Sequence, residues 1–391
     1  IAPFITRIFS PEEFAVQANF IAIVGLIGII SAGRYDLAVV LPKEERKAQA
    51  LFKLSLIIIT TISLLSFLVF FFKDEISVFY NDNELPKYMI YVAPGIFFTG
   101  LYNLLFNWNV RHRKFNSVSA SRITQSFIGN ILYLAFGYLA WGIDGLVIGW
   151  MIGQILSTLM LLYPTIKNWQ KDTKITHSEM KEMAIKHKDF PLINSLHAFT
   201  DIFATQFFIF WLITNNYGLL VLGLFSMMNR YLRAPIQLVT GAVSQIYYKE
   251  ATECVNNQTS SIPIIKKTLK ICLFFALPFI LVISLWGPDL FAWYLGGEWR
   301  EAGEYARIMA PALFVNFIFS PIGITPIIFN KQKLSYLFSI FGYGASLGLL
   351  LVVSALGYSF TVALWTYSIC LTIHQILLGL WYISLSKKSM P

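Results

Sequence analysis

The sequence predicts an all-α integral membrane protein: twelve transmembrane helices in two pseudo-symmetric six-helix lobes, with the N-terminus truncated within helix 1. Three observations carry this expectation. The 391 residues are 56% hydrophobic and only 13% charged, with a mean hydropathy of +0.62, whereas an ordinary soluble domain is roughly 25% charged. Apolar runs of the length a bilayer requires recur from end to end. Basic and charge-poor loops alternate, and a short motif returns at a nearly constant offset.

Apolar runs and the residues that break them place the helices in order. "IAPFITRIF" reads as the tail of the first, ending near residue 9. The second covers 13–40, with Pro42 and "KEERK" marking its exit. The others run over 48–72, 86–107, 115–139, 145–166, 190–214, 219–247, 263–287, 303–329, 334–356 and 359–385. The chain then divides into a first lobe, 1–166, a basic linker, 167–189, and a second lobe, 190–391. Lys and Arg crowd the loops around 34–47, 111–114, 167–188, 249–270, 331–333 and 387–388. The intervening loops hold only Arg7, Lys73, Lys87, Arg300 and Arg307. Because basic residues collect on the cytoplasmic side, both termini are expected there. The net charge of +9 is thus a topological signal and an attraction to anionic membrane lipid. It is not a nucleic-acid patch, since no basic stripe with interleaved aromatics stands outside the spans.

The repeat pairs "YMIYVAP" (88–94) with "YARIMAP" (305–311), 217 residues apart, and "AFGY" (135–138) with "ALGY" (355–358), offset by 220. Six helices per repeat, an even number, give both halves the same orientation, so their symmetry axis should follow the membrane normal and superpose Pro94 on Pro311.

Polar residues inside spans carry the chemistry, because each charge costs about 2.5–3.5 kcal/mol at a helix centre unless it faces protein or water. Ser226, Arg230, Arg233, Gln237, Gly241 and Ser244 make one stripe on the helix 219–247. Its two Arg lie near mid-span, and a cavity-lining role outweighs a structural ion pair. Asn194, His197, Asp201 and Thr205 share a face of the helix 190–214, and Ser119, Arg122, Ser126 and Asn130 a face of 115–139. For Arg122, snorkelling to the basic end and lining a cavity weigh evenly. His197 is expected to hydrogen-bond between helices more than to relay protons. The turn "NNYG" (215–218) makes the helices 190–214 and 219–247 antiparallel neighbours. At 1.5 Å of rise per residue, Asp201 then falls level with Arg230 and Arg233, and a pair is expected.

Other patterns read more simply. Cys254, Cys272 and Cys370 share no metal or disulfide spacing. No Walker A pattern occurs, so the chain carries no ATP-driven motor. "GYGASLG" (342–348) contains a GxxxG that signals close helix packing, and "NDNE" (81–84) a solvated turn. With outer loops this short, a glycosyltransferase or polymerase would lack room for an aqueous catalytic site, and no enzyme is expected. Neither a cofactor nor a metal is implied.

"SAGRYDLAVVLP" (31–42) places Arg34 and Asp36 in the cytoplasmic third of the second helix. "GRYDLAVVLPKEER", together with "GGEWREAGEYARIMAP" (296–311), resembles the lipid-linked oligosaccharide flippases of bacterial polysaccharide and O-antigen synthesis. These belong to the multidrug, oligosaccharidyl-lipid and polysaccharide exporter superfamily, and the likeness covers nearly the whole chain. The resemblance implies a flippase of the bacterial inner membrane that moves a polyprenyl-diphosphate-linked oligosaccharide outward by alternating access, for lipopolysaccharide or another surface glycan. Polymerase and assembly proteins are the implied partners. Arg230, Arg233, Arg122 and Arg34 would hold the diphosphate, Gln237 and Asn194 would serve the glycan, and Asp201, Asp36 and His197 are candidates for gating or ion coupling. The competing reading is a cation-coupled multidrug antiporter of the same fold, which would be expected to carry more carboxylates.

Overall fold

The computed structural model describes residues 1–167, 169, 175–257, 259–329 and 331–388. Lys171 and Lys174 of the basic linker lie outside them. Among the described residues all regular structure is helical. A short α1 (Ala2–Ile5) precedes α2 (Pro11–Gly28). A capping box starts α2: the Glu13 N–H donates to Ser10 Oγ at 3.3 Å and the Ser10 N–H to Glu13 Oε2 at 2.8 Å. The second helix was expected to run to 40, but α2 stops at Gly28. Gly33 and Arg34 both take left-handed backbones, φ 55° and 56°, and two such residues in a row cannot be threaded by a right-handed helix. A single turn, α3 (Tyr35–Ala38), follows.

Then come α4 (Glu45–Ser66), α5 (Leu68–Phe71), α6 (Lys73–Tyr80) and a 3₁₀ segment, Leu85–Tyr91, that leads into α7 (Val92–Arg111). After α8 (Phe115–Tyr138), α9 (Ile143–Lys167) and α10 (His177–Lys186), π-helical turns at Phe190–Asn194 and Phe203–Phe208 flank α11 (Ser195–Ile202). The long α12 (Ile209–Asn256) breaks at Gly218, φ 87° and ψ 174°, inside the expected turn. The chain ends through α13 (Ile262–Leu295), α14 (Arg300–Phe319), α15 (Thr325–Ile328), α16 (Gln332–Ala355) and α17 (Phe360–Lys388).

Eight stretches among the described residues are long and apolar enough to cross a membrane, and one of them, Phe190–Val255, contains the break at Gly218. The long helices α2 and α8 are outside that set. Polar side chains explain this: α8 carries Arg122 amid Ser, Thr, Asn and Gln, and α2 carries two Glu, Gln17 and Asn19.

The contacts divide the chain into two compact units, 1–223 and 224–391. In the first, α4 packs on α7, α7 on α9 and α9 on α8. In the second, α13 packs on α14, α14 on α17 and α17 on α16, the same order of neighbours. The repeated motif takes matching places: Tyr88 donates to Asp144 near the start of α9 at 2.8 Å, and the Tyr305 ring meets Phe360 at the start of α17 at 4.9 Å. Both tyrosines are buried.

Helix 190–217 joins the first unit because it packs on α2. Asn19 Nδ2 donates to Thr214 Oγ1 at 3.3 Å, while Trp211 Nε1 and Asn215 Nδ2 donate to the Phe79 carbonyl at 2.7 and 2.8 Å. The neighbouring "NDNE" turn is less solvated than expected. Asp82 is 1% exposed, drawn in because its Oδ1 accepts the N–H groups of Glu84 and Leu85 at 3.0 Å each and so caps the next 3₁₀ segment. In "GYGASLG" the packed face is also shifted from the expected GxxxG. A Cβ on Gly342 would collide with the His374 ring, whereas Gly344 and Gly348 meet nothing within 4 Å.

Candidate functional site

The helix 219–256 is amphipathic within its own unit. Leu232, Ile236, Thr240, Tyr247 and Ala251 are buried on one face, while Arg230, Arg233, Gln237 and Gly241 are exposed on another. At 1.5 Å per residue the stripe from Arg230 to Gln237 climbs about 10 Å. Pro235 sits inside it, and a proline has no N–H to offer the carbonyl four residues back, here that of Tyr231. The stripe therefore presents two guanidinium groups and a carboxamide, beside a helix carbonyl that lacks its usual donor four residues on. Among the described residues of this unit, no carboxylate lies within ion-pair distance of Arg230 or Arg233; its ion pairs are Lys267–Glu250, Arg300–Asp289 and Arg307–Glu304. Arg233 lies close enough to Tyr367 for its charge to bear on that buried phenol.

In the first unit α8 is built the same way. Val118, Ser121, Gly129 and Tyr133 are buried, and Gly153 of α9 comes so near that a Cβ there would lie 3.4 Å from Gly129 Cα. Ser119, Arg122 and Ser126 are exposed. Arg122 holds its guanidinium 4.7 Å from the centre of the Phe106 ring, a cation–π contact that orients the charge without neutralising it.

The "GRYD" stretch is a knot at the end of α2. Asp36 is 4% exposed and accepts from Asn107 Nδ2 at 3.3 Å, within Coulombic range of Arg34. Arg34 Nε is buried without a hydrogen-bond partner among the described residues. Tyr35 donates its hydroxyl to the Ala184 carbonyl at 3.1 Å. Arg111 closes the exit, donating to the carbonyls of Val39 at 3.3 Å and Pro42, and through Nε and Nη2 to Glu45 at 3.2 and 3.1 Å. His112 meets the other Glu45 oxygen at 3.0 Å. On helix 190–217, Asn194, His197 and Asp201 are all exposed, and Thr205 donates to the Asp201 carbonyl at 2.7 Å.

A family model described as polysaccharide biosynthesis protein matches residues 4–304. The chain belongs to that family. No curated protein matches it. Among solved structures, this polysaccharide biosynthesis family member is similar to multidrug resistance MATE transporters of the MOP superfamily. An inward-facing one superposes with a TM-score of 0.77 at 15% identity, over 99% of this chain and 94% of that one. An outward-facing one gives 0.64 at 15% identity, over 96% and 86%. A MATE in its bent conformation gives 0.58 at 15% identity, over 100% and 97%. At such identity the likeness is one of fold. Family and apolar helices together make this a multi-pass membrane protein of a polysaccharide biosynthesis family, built on the fold of the MATE transporters.

Within its units, the family member brings together Arg230, Arg233 and Gln237 on one exposed face, and Arg34 with Asp36 in one knot. Arg122 stands apart on α8. Two participants were missed by a search of spans for charge. Asn107, which holds Asp36, and Arg111, which clamps residues 39–45, both lie on α7; Thr99, Asn103 and Asn107 recur at i, i+4, a polar period that could have flagged that helix. Among the described residues no cluster of three His, Cys, Asp or Glu could hold a metal ion.

Proposed function

We propose that this protein carries a polyprenyl-diphosphate-linked oligosaccharide across the cytoplasmic membrane by alternating access, with both termini in the cytoplasm. The observation that carries the reading is the exposed Arg230–Arg233–Gln237 stripe, whose charges have no carboxylate partner among the described residues of their own unit. Two cations held mid-helix suit an anion, and a diphosphate matches paired guanidinium groups through bidentate, charge-assisted hydrogen bonds. Gln237 on the same face, and Asn194, offer donors and acceptors to sugar hydroxyls. Arg34 and Arg122 supply further positive charge along the route. Asp201, Asp36 and His197 are the proposed gating groups, with Asp201 pairing to Arg230 or Arg233 when no substrate anion occupies them. A surface polysaccharide of the O-antigen or lipopolysaccharide kind is the proposed destination, and polymerase and assembly proteins the proposed partners.

The test is flipping of a fluorescent polyprenyl-diphosphate disaccharide in proteoliposomes. R230Q/R233Q should insert and remain monodisperse yet flip at least about tenfold more slowly, since each lost charge-assisted bond is worth about 1.5–3 kcal/mol. Wild-type flipping by that variant defeats the reading. Extrusion of a lipophilic cation dye by the wild type, with no flipping, favours the multidrug antiporter instead.

A further inference from the structure

A second basic feature lies in the first unit, away from the Arg122 stripe. Between the start of α8 and the end of α9 is a cavity of about 550 Å³ whose polar side chains are those of Lys114, Asn116, Ser117, Tyr163 and Lys167. Lys114 Nζ donates to the Pro164 carbonyl at 3.0 Å, which anchors its ammonium at the cavity lining. Lys167 is exposed beside it. Among the described residues no acidic side chain lines the cavity. Burial first, and then the Lys167 charge, hold the Lys114 ammonium below the usual lysine range. Two cations thus line one opening with no anion among its described lining residues to separate them.

The rest of the lining says what kind of anion fits. Ala120 and Met160 form the inner wall. Along α8 the positions 116, 120, 123 and 127 share a face by helical spacing. Ile123 and Phe127 continue that face at 66% and 55% exposure, and Leu159 on α9 is 49% exposed. A cationic opening at the basic end of two spans, opening onto an exposed apolar wall beside an exposed tyrosine, has the polarity of a membrane interface.

We propose that this cavity binds the phosphate headgroup of an anionic phospholipid, its acyl chains lying along Ile123 and Phe127. Lys114 and Lys167 contact the phosphate, and Asn116, Ser117 and Tyr163 hydrogen-bond the glycerol or headgroup hydroxyls. Basic pockets between spans on the cytoplasmic side suit such lipids. The site is a bilayer contact, independent of which substrate the protein carries.

The experiment is native mass spectrometry of the purified full chain with phosphatidylglycerol or phosphatidylcholine of identical acyl chains. The wild type should retain phosphatidylglycerol in preference. K114Q/K167Q should lose that preference about tenfold or more, at about 1 kcal/mol per basic residue, while K331Q/K333Q, the same change of charge elsewhere, should keep it. Equal retention of the two lipids by the wild type, or an undiminished preference in K114Q/K167Q, overturns the proposal. Should the double variant not survive purification, K167E at the exposed position must abolish the preference alone. Displacement of the bound phosphatidylglycerol by a polyprenyl diphosphate would reassign the cavity to substrate and equally overturn it.

Discussion

Gly303 stands in "GGEWREAGEYARIMAP", and its neighbours define what one methyl group would do. A Cβ at Gly303 would lie 2.4 Å from the Gly287 carbonyl oxygen and 2.5 Å from Pro288 Cα. Ordinary contact begins near 3.4 Å, and the obstructing atoms are backbone, so α13 and α14 must part by about 1 Å. A gap of that size forfeits a quarter to a half of each dispersion well, and a buried side chain makes about 40–60 contacts of ~0.1–0.2 kcal/mol. Loosening the equivalent of one buried side chain, among Ile283, Phe291, Trp299, Ala302 and Ala306 at this hairpin, costs about 2–3 kcal/mol, the usual scale of overpacking. Gly303→Ala should therefore lower the unfolding midpoint in detergent, read by loss of monodispersity on heating, by roughly 3 °C. Gly348→Ala is the opposite case. Nothing lies within 4 Å of its Cβ, and alanine is the better helix former by about 1 kcal/mol, so its midpoint should hold or rise. If Gly303→Ala melts with the wild type, or Gly348→Ala is the more damaging, the close crossing of α13 and α14 is wrong.

Three further outcomes follow from named contacts. Arg111→Gln should cost about 2–3 kcal/mol, because it removes charged donors from Glu45 and from the Val39 and Pro42 carbonyls; limited proteolysis should open the 39–46 segment, and Arg111→Lys should restore only part of the protection. Glu179 is held down to about 2 from its ordinary 4.5, first by Arg46 and then by the backbone N–H and hydroxyl of Thr176. Its folded value is below its unfolded one, so its contribution is complete above about 4.5 and lost as pH falls towards 2. Amide exchange in residues 176–186, corrected for intrinsic rate, should lose protection over that interval, and Glu179→Gln should flatten the profile. Asp82→Ala should cost about 1 kcal/mol as a lost cap. Burial, by contrast, raises the Asp82 carboxyl, so its ionisation opposes folding as pH rises. Asp82→Asn keeps the acceptor without the charge and should match or exceed wild-type thermal stability at neutral pH.

The features legible in the linear chain were those that rest on local or periodic chemistry. Twenty-residue apolar runs must be helical in lipid, because no other conformation of a single segment satisfies its own backbone. The Arg230–Arg233–Gln237 stripe was visible because 3.6-residue periodicity fixes which side chains share a face, and the exposure of that face agrees. Tyr88 and Tyr305 announced a repeat whose packing order recurs in both units. What tertiary structure alone decided are contacts that carry no local period. Arg34 and Asp36 looked like residues of a continuing helix, yet α2 stops at Gly28, two left-handed residues bar its resumption, and the carboxylate is met by Asn107, 71 positions away. Asp82 looked solvated until the chain from 190 to 217 and α2 closed around its turn. Gly342 became a packing residue because His374 lies over it, while Gly344 and Gly348, which carried the motif, face open space. Spacing along a helix determines which way a side chain points, but what it meets there depends on another segment arriving, and that depends on the packing of the whole chain.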